Sequence, residues 1–162
     1  MATLFDILTE NNRFAPSLPL RLRQQINVKE RATVYVLRFT PSMDSCSFLI
    51  DGYIINDMKT EKCDYVVLAK SENGSWAEVF VELKGADIRH AIIQLKATLN
   101  HPYFKSTDYS IRKARVVTSN RIPANTGNSI VERAKVDFRK MGCDFRPIKS
   151  SQPDLLKGAD FN

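Results

Sequence analysis

Long apolar runs are missing from this chain of 162 residues. No stretch approaches the ~18 consecutive apolar residues of a bilayer-spanning helix, which excludes a membrane protein of that kind. The opening residues, Met1 to Asp6, lack a basic region followed by an apolar stretch, so no secretory signal is expected there. Cysteine is scarce: Cys46, Cys63 and Cys143 are odd in number and widely spaced. That argues against a disulfide framework and against a CxxC zinc site, and makes a reducing cytoplasm the expected compartment. Histidine is scarcer still. His90 and His101 lie eleven apart without cysteine or acidic partners at ligand spacing, and read as surface residues. There is no GxSxG, Walker or HExxH pattern, no internal repeat and no low-complexity segment.

What is present suits one folded domain. Hydrophobic residues make up 43% of the chain, enough for a single packed core and too many for a disordered one. The expected division is one domain over 1–149 and a polar, loosely held tail over 150–162. Charge is unevenly placed. Residues 1–83 hold 9 basic and 11 acidic residues, whereas 84–149 hold 14 basic and 5 acidic. A net +9 within 66 residues can build a basic surface, which favours polyanions and nucleic acid first.

Periodicity sets the expected elements. Leu4, Phe5 and Leu8 share the face of a short helix with Thr3 and Asp6 as a capping pair. Residues 15–31 read as irregular, broken by Pro16 and Pro19. Thr33–Phe39 and Ser47–Ile55 read as strands separated by a turn at 41–45, with a possible bulge at Asp51-Gly52. Two further strands, Cys63–Lys70 and Trp76–Lys84, flank a hairpin signal at Glu72-Asn73-Gly74. Then the period lengthens. Ile88, Ala91, Ile92, Leu95 and Leu99 lie on one face of a helix, capped by Asp87 and closed at His101-Pro102. Ala114–Thr118 is a strand, 119–127 a polar loop, and Ser129 with Glu132 a capping box opening a second long helix that Gly142 ends. Cys143–Ile148 is the last expected strand. The fold class is α/β or α+β, a central mixed sheet flanked by helices.

Chemistry concentrates between Cys63 and Leu99. Side chains alternate along a strand, so Glu82 and Lys84 share a face. Whether Asp64 joins them depends on the hairpin register. A two-residue loop at Asn73-Gly74 would set Asp64 against Leu83. A three-residue loop, Glu72-Asn73-Gly74 with a left-handed glycine, sets it against Glu82. In the second register two carboxylates meet, and they repel unless a cation sits between them. Oxygen ligands of this kind suit Mg²⁺ or Mn²⁺. Asp51 and Asp57 are rival first acids, but only the strand of Asp64 is the hairpin partner of the Glu82 strand.

Asp64, then Glu82-Leu83-Lys84 after a short hairpin, then a helix carrying Gln94, resembles the PD-(D/E)xK nuclease superfamily over roughly residues 45–120. The resemblance implies a restriction-endonuclease-like αβββαβ core and metal-dependent hydrolysis of phosphodiester bonds, in DNA more than RNA. It implies that Asp64, Glu82 and the backbone carbonyl of Leu83 hold the metal, that Lys84 serves the attacking water, and that Gln94 supports the site or contacts the nucleic-acid backbone. Superfamily members often add an upstream glutamate, for which Glu10 and Glu30 are both candidates. Cys63 stands where the motif often has proline. Arg89 and Lys96 on the polar side of the Gln94 helix, with Arg112, Lys113 and Arg115 around the next strand, are the basic residues expected to track phosphates. The alternative is an inactive module of the same shape, binding nucleic acid or a protein partner. A homodimer or a place in a larger complex is compatible with either.

Overall fold

The computed structural model describes residues 1–83, 87–119 and 124–162, with side chains of the last segment from Ser129 onward. Its order is α1 (Leu4–Thr9), β1 (Leu18–Glu30), β2 (Thr33–Leu49), β3 (Tyr65–Lys70), β4 (Trp76–Glu82), α2 (Ile88–Leu99), β5 (Ile111–Thr118), α3 (Ala124–Lys140), β6 (Asp144–Lys149) and β7 (Pro153–Lys157). The strands form one seven-stranded mixed sheet in the order β1-β2-β3-β4-β5-β6, with β7 paired to β2. Strands β1 to β4 run antiparallel, while β4, β5 and β6 run parallel. The α+β class with a mixed sheet is therefore as expected.

Two apolar clusters lie on opposite faces of the sheet. On one face Val66, Leu68, Phe80, Ala114 and Phe145 pack against Leu4 and Leu8 of α1, Ile88, Ala91, Leu95 and Leu99 of α2, and Val131, Ala134 and Phe138 of α3. On the other, Val67, Ala69, Ala77, Val79 and Val81 pack against Ile26, Val28, Tyr35, Leu37 and Phe39. The first half of β2 and the end of β1 thus cover the face that the helices leave open. All seven residues of β4 are buried, as a strand covered on both faces requires.

Three expectations are corrected. Residues 18–30, read as irregular, form β1. Leu18, Leu20, Leu22, Ile26 and Val28 alternate with polar residues there, although only Ile26 and Val28 are buried, and Pro19 sits near the strand start where proline is tolerated. The expected break at 41–45 is absent, because β2 runs from Thr33 to Leu49 through a cis Thr40–Pro41 bond, and it ends before 50–55. The expected tail is a strand: β7 pairs in parallel with Val36–Thr40 of β2. What anchors it is a buried ion pair. Arg115 Nε lies 2.8 Å from Asp154 Oδ2, and Tyr35 Oη donates to the same oxygen at 2.6 Å.

The helix ends follow local chemistry. Thr3 Oγ1 accepts from Asp6 N at 3.1 Å and Asp87 Oδ1 from His90 N at 3.1 Å, so both expected caps are made. Helix α3 starts five residues before Ser129, which is therefore inside the helix and opens no capping box. Gly142 ends the segment at φ 71°, a conformation that favours glycine.

Candidate active site

The hairpin of β3 and β4 places the carboxylates. Tyr65 pairs with Val81 and Lys70 with Trp76, and Ser71 N–H donates to Ser75 O at 2.8 Å. The loop is therefore Glu72-Asn73-Gly74, with Gly74 at φ 90°, and the register is the second of the two alternatives. Continued by one pair, it sets Asp64 against Glu82. The ladder loosens there. Asp64 lies in a bend before β3, and its N–H donates to Val81 O at 3.1 Å. Its carboxylate turns to the end of β4, where Oδ2 accepts from Leu83 N–H at 2.7 Å.

Both acids are interior: Asp64 is 3% exposed and Glu82 0%. The Asp64 carboxyl stands at about 6, raised chiefly by burial, held back by the Leu83 N–H, raised again by the charges of Glu30 and Asp51, and lowered by a side-chain hydrogen bond with Glu82. The two carboxyls are thus hydrogen-bonding neighbours at the end of the central strand, inside a field of like charge. Of the two upstream glutamates, Glu30 acts on Asp64. Asp57 is occupied elsewhere, closing a local turn with Lys59 N at 2.9 Å and Thr60 Oγ1 at 2.8 Å.

Leu83 buries its side chain among the strands of the opposite face, at 5% exposure. Lys84 lies outside the described residues, as does the 120–123 part of the expected polar loop.

Gln94 stands beside this pair by way of the chain. Its Nε2 donates to the carbonyl of Lys62 at 3.2 Å, two residues before Asp64. One turn on, Thr98 Oγ1 accepts from Cys63 N–H at 2.8 Å. Helix α2 therefore grips the backbone that leads into Asp64. Thr98 was not expected in this role, although its i+4 spacing from Gln94 on the buried face was a visible signal. Gln94 Oε1 is buried with no hydrogen-bond partner among the described residues. Gln94 also lines a 360 Å³ cleft with Asp51, Lys59, Thr60, Lys62 and His90. His90 sits at 3.4 Å from Glu61 on the rim of that cleft.

The expected basic residues divide. Arg89 is exposed and Lys96 half-buried, and both line a 450 Å³ groove between α2 and α3 with Arg133. Lys96 is held by Asp137 at 2.8 Å. Arg112 and Arg115 are not surface residues, which corrects their expected contact with phosphates. Arg112 is bonded to Glu78, Thr107 Oγ1 and the Phe104 carbonyl, and its guanidinium lies 4.3 Å from the Tyr109 ring. Arg115 is fully buried between Asp154 and Asp144. Lys113 donates to the Leu155 carbonyl at 3.2 Å, and burial lowers its pKa. Side chains of β5 alternate between two covered faces, so a basic residue there finds an acid or a carbonyl instead of solvent.

No family model, no curated protein and no solved structure matches this chain.

Proposed function

We propose that the chain is a metal-dependent nuclease with a restriction-endonuclease-like core, hydrolysing phosphodiester bonds in DNA. The observation that carries this reading is the meeting of Asp64 and Glu82 at the end of the buried strand β4. The order of α1, the antiparallel β2, β3 and β4, α2 and the parallel β5 agrees with it.

The donor set fits Mg²⁺ or Mn²⁺. Both acids are hard oxygen donors, and an ion that keeps much of its water needs only one or two carboxylates. Among the described residues no three His, Cys, Asp or Glu side chains cluster as metal ligands, and a two-carboxylate site does not require such a cluster. Asp64 and Glu82, with the Leu83 carbonyl, would hold the ion. When bound, it supplies a Lewis acid that offsets negative charge on the phosphate.

The chain's own residues do the rest. The Leu83 N–H fixes one oxygen of Asp64. Gln94 and Thr98 hold Lys62 and Cys63, so Asp64 is positioned before any ligand arrives. Lys84, next in the motif, is the residue we assign to the attacking water. Arg89, Lys96 and Arg133 line the groove beside α2 and would take backbone phosphates, with affinity falling as salt rises.

Incubation with supercoiled plasmid in Mg²⁺ or Mn²⁺, with EDTA as control, tests the reading. Nicking that stops in EDTA and in Glu82→Gln supports it. No cleavage of DNA or RNA, with binding retained in Ca²⁺, transfers the assignment to an inactive nucleic-acid-binding module. One domain offers one such pair, so cutting both strands takes two copies or two events. Among the described residues no helix is long and apolar enough to cross a membrane.

A further inference from the structure

A second basic concavity lies at the other end of the sheet. Asp64 and Glu82 sit where β4 ends, at the level of Val116 in β5. The far end, where β5 and β6 begin, opens into a 500 Å³ concavity between these strands and the last turns of α3. Four cations line it, Arg112, Lys135, Arg139 and Arg146, against one acid, Asp144.

The four are not equivalent. Arg112 is neutralised by Glu78 at 2.6 Å. Lys135 shares its charge with Glu132 at 3.4 Å, on the exposed side of α3. Asp144 is drawn to Arg115, 3.0 Å away, and stands 3.9 Å from Arg146, beyond hydrogen-bond reach. Arg139 and Arg146 are both exposed, and neither makes a side-chain hydrogen bond among the described residues. Two guanidinium groups therefore face one concavity from different elements, one on a helix and one on the edge strand β6. Ile111, Cys143 and Phe145 form its apolar side.

Planar forks of N–H donors on two sides of a hollow match an anion with several oxygens and more than one charge, which is the chemistry of phosphate. We propose that this concavity is a phosphate-binding site, separate from the Asp64–Glu82 pair and taking a ligand with two or more neighbouring phosphate charges. Its source is a free polyphosphate or a phosphodiester chain. The site stands on other residues than the nuclease reading and does not depend on it.

Calorimetric titration at low salt, in EDTA so that nothing is cleaved, tests this with three probes: inorganic pyrophosphate, ADP, and a 12-nucleotide single strand. The Arg139→Ser/Arg146→Ser double variant should weaken binding at least tenfold. Arg21→Ser with Lys29→Ser removes the same charge from β1 and should change it less than twofold. Thermal melts of both variants should match wild type, since all four side chains are exposed. Pyrophosphate and ADP binding with the loss at Arg139 and Arg146 assigns a free phosphate ligand. Loss confined to the oligonucleotide assigns a backbone. Wild type that binds none of the three, or equal losses in the two double variants, overturns the proposal.

Discussion

Strand β4 carries two buried glutamates four residues apart on one face, and their surroundings differ. Glu78 is 1% exposed and meets Arg112 through Nε at 2.9 Å and Nη2 at 2.6 Å, with Thr107 Oγ1 donating at 2.6 Å. Glu82 is 0% exposed, and its neighbour across the hairpin is a second carboxyl, Asp64. At Glu78 burial raises the carboxyl pKa while Arg112 pulls it back. At Asp64 the flanking charges are Glu30 and Asp51, so burial and charge act together. Burial of an acid is thus no signature by itself. A buried acid beside a fixed cation holds the fold together, and a buried acid beside another acid is a place where a cation is wanted.

The largest expected effect is at the paired end. Arg112→Met leaves Glu78 without its counter-charge in the interior, and breaking such a pair costs about 3–5 kcal/mol. Denaturant unfolding should show that loss, with divalent-ion binding by the remaining folded protein unchanged.

At the other end the sign reverses. The folded Asp64 carboxyl, at about 6, lies above its ordinary value of 3.8. The native state therefore holds the proton more tightly than the unfolded chain. Metal-free stability from this group is fully present below about pH 4 and is lost as pH rises through 6. Asp64→Asn keeps an acceptor for the Leu83 N–H and removes the charge. It should stabilise the metal-free protein at pH 8 by about 1–3 kcal/mol and flatten its stability between pH 4 and 6. Millimolar Mg²⁺ should raise the melting temperature of wild type and leave the variant unmoved.

A smaller effect separates positioning from ligation. Gln94→Met removes the bond to the Lys62 carbonyl and should weaken Mn²⁺ binding severalfold without abolishing it, while Gln94→Glu restores an acceptor but no donor and should not rescue it. The smallest is at the surface pair Lys96–Asp137, where Asp137→Ala should cost about 0.5 kcal/mol or less, read by the same unfolding measurement.

Legibility from sequence followed the range of the interactions. The β3–β4 hairpin and α2 are visible through alternation and helical period, whereas the loop length, and with it the register of Asp64, was open between two and three residues until the strand pairing decided it. The choice of Asp64 over Asp57 came from the same local pairing. The rest depends on partners far along the chain. Strand β7 is held by Arg115, 39 residues earlier, and by β2, more than a hundred residues away. Nothing local to Asp154 advertises either. Arg112 and Arg115 looked like surface cations because charge suggests exposure, and only the positions of Glu78 and Asp154 show otherwise. Strand β1 does alternate, with Leu18, Leu20, Leu22, Ile26 and Val28 at every second position but one, yet Pro16 and Pro19 read as breaks and hid that pattern.

The central claim is that Asp64 and Glu82 together hold one divalent cation. Titration of the metal-free protein with Mn²⁺ at pH 7.5, followed by the electron paramagnetic resonance of the free ion, measures this directly. One saturable site is expected in wild type, lost in Asp64→Asn and in Glu82→Gln while both variants stay folded. A site that survives both substitutions, or a wild type that binds no Mn²⁺, would contradict it.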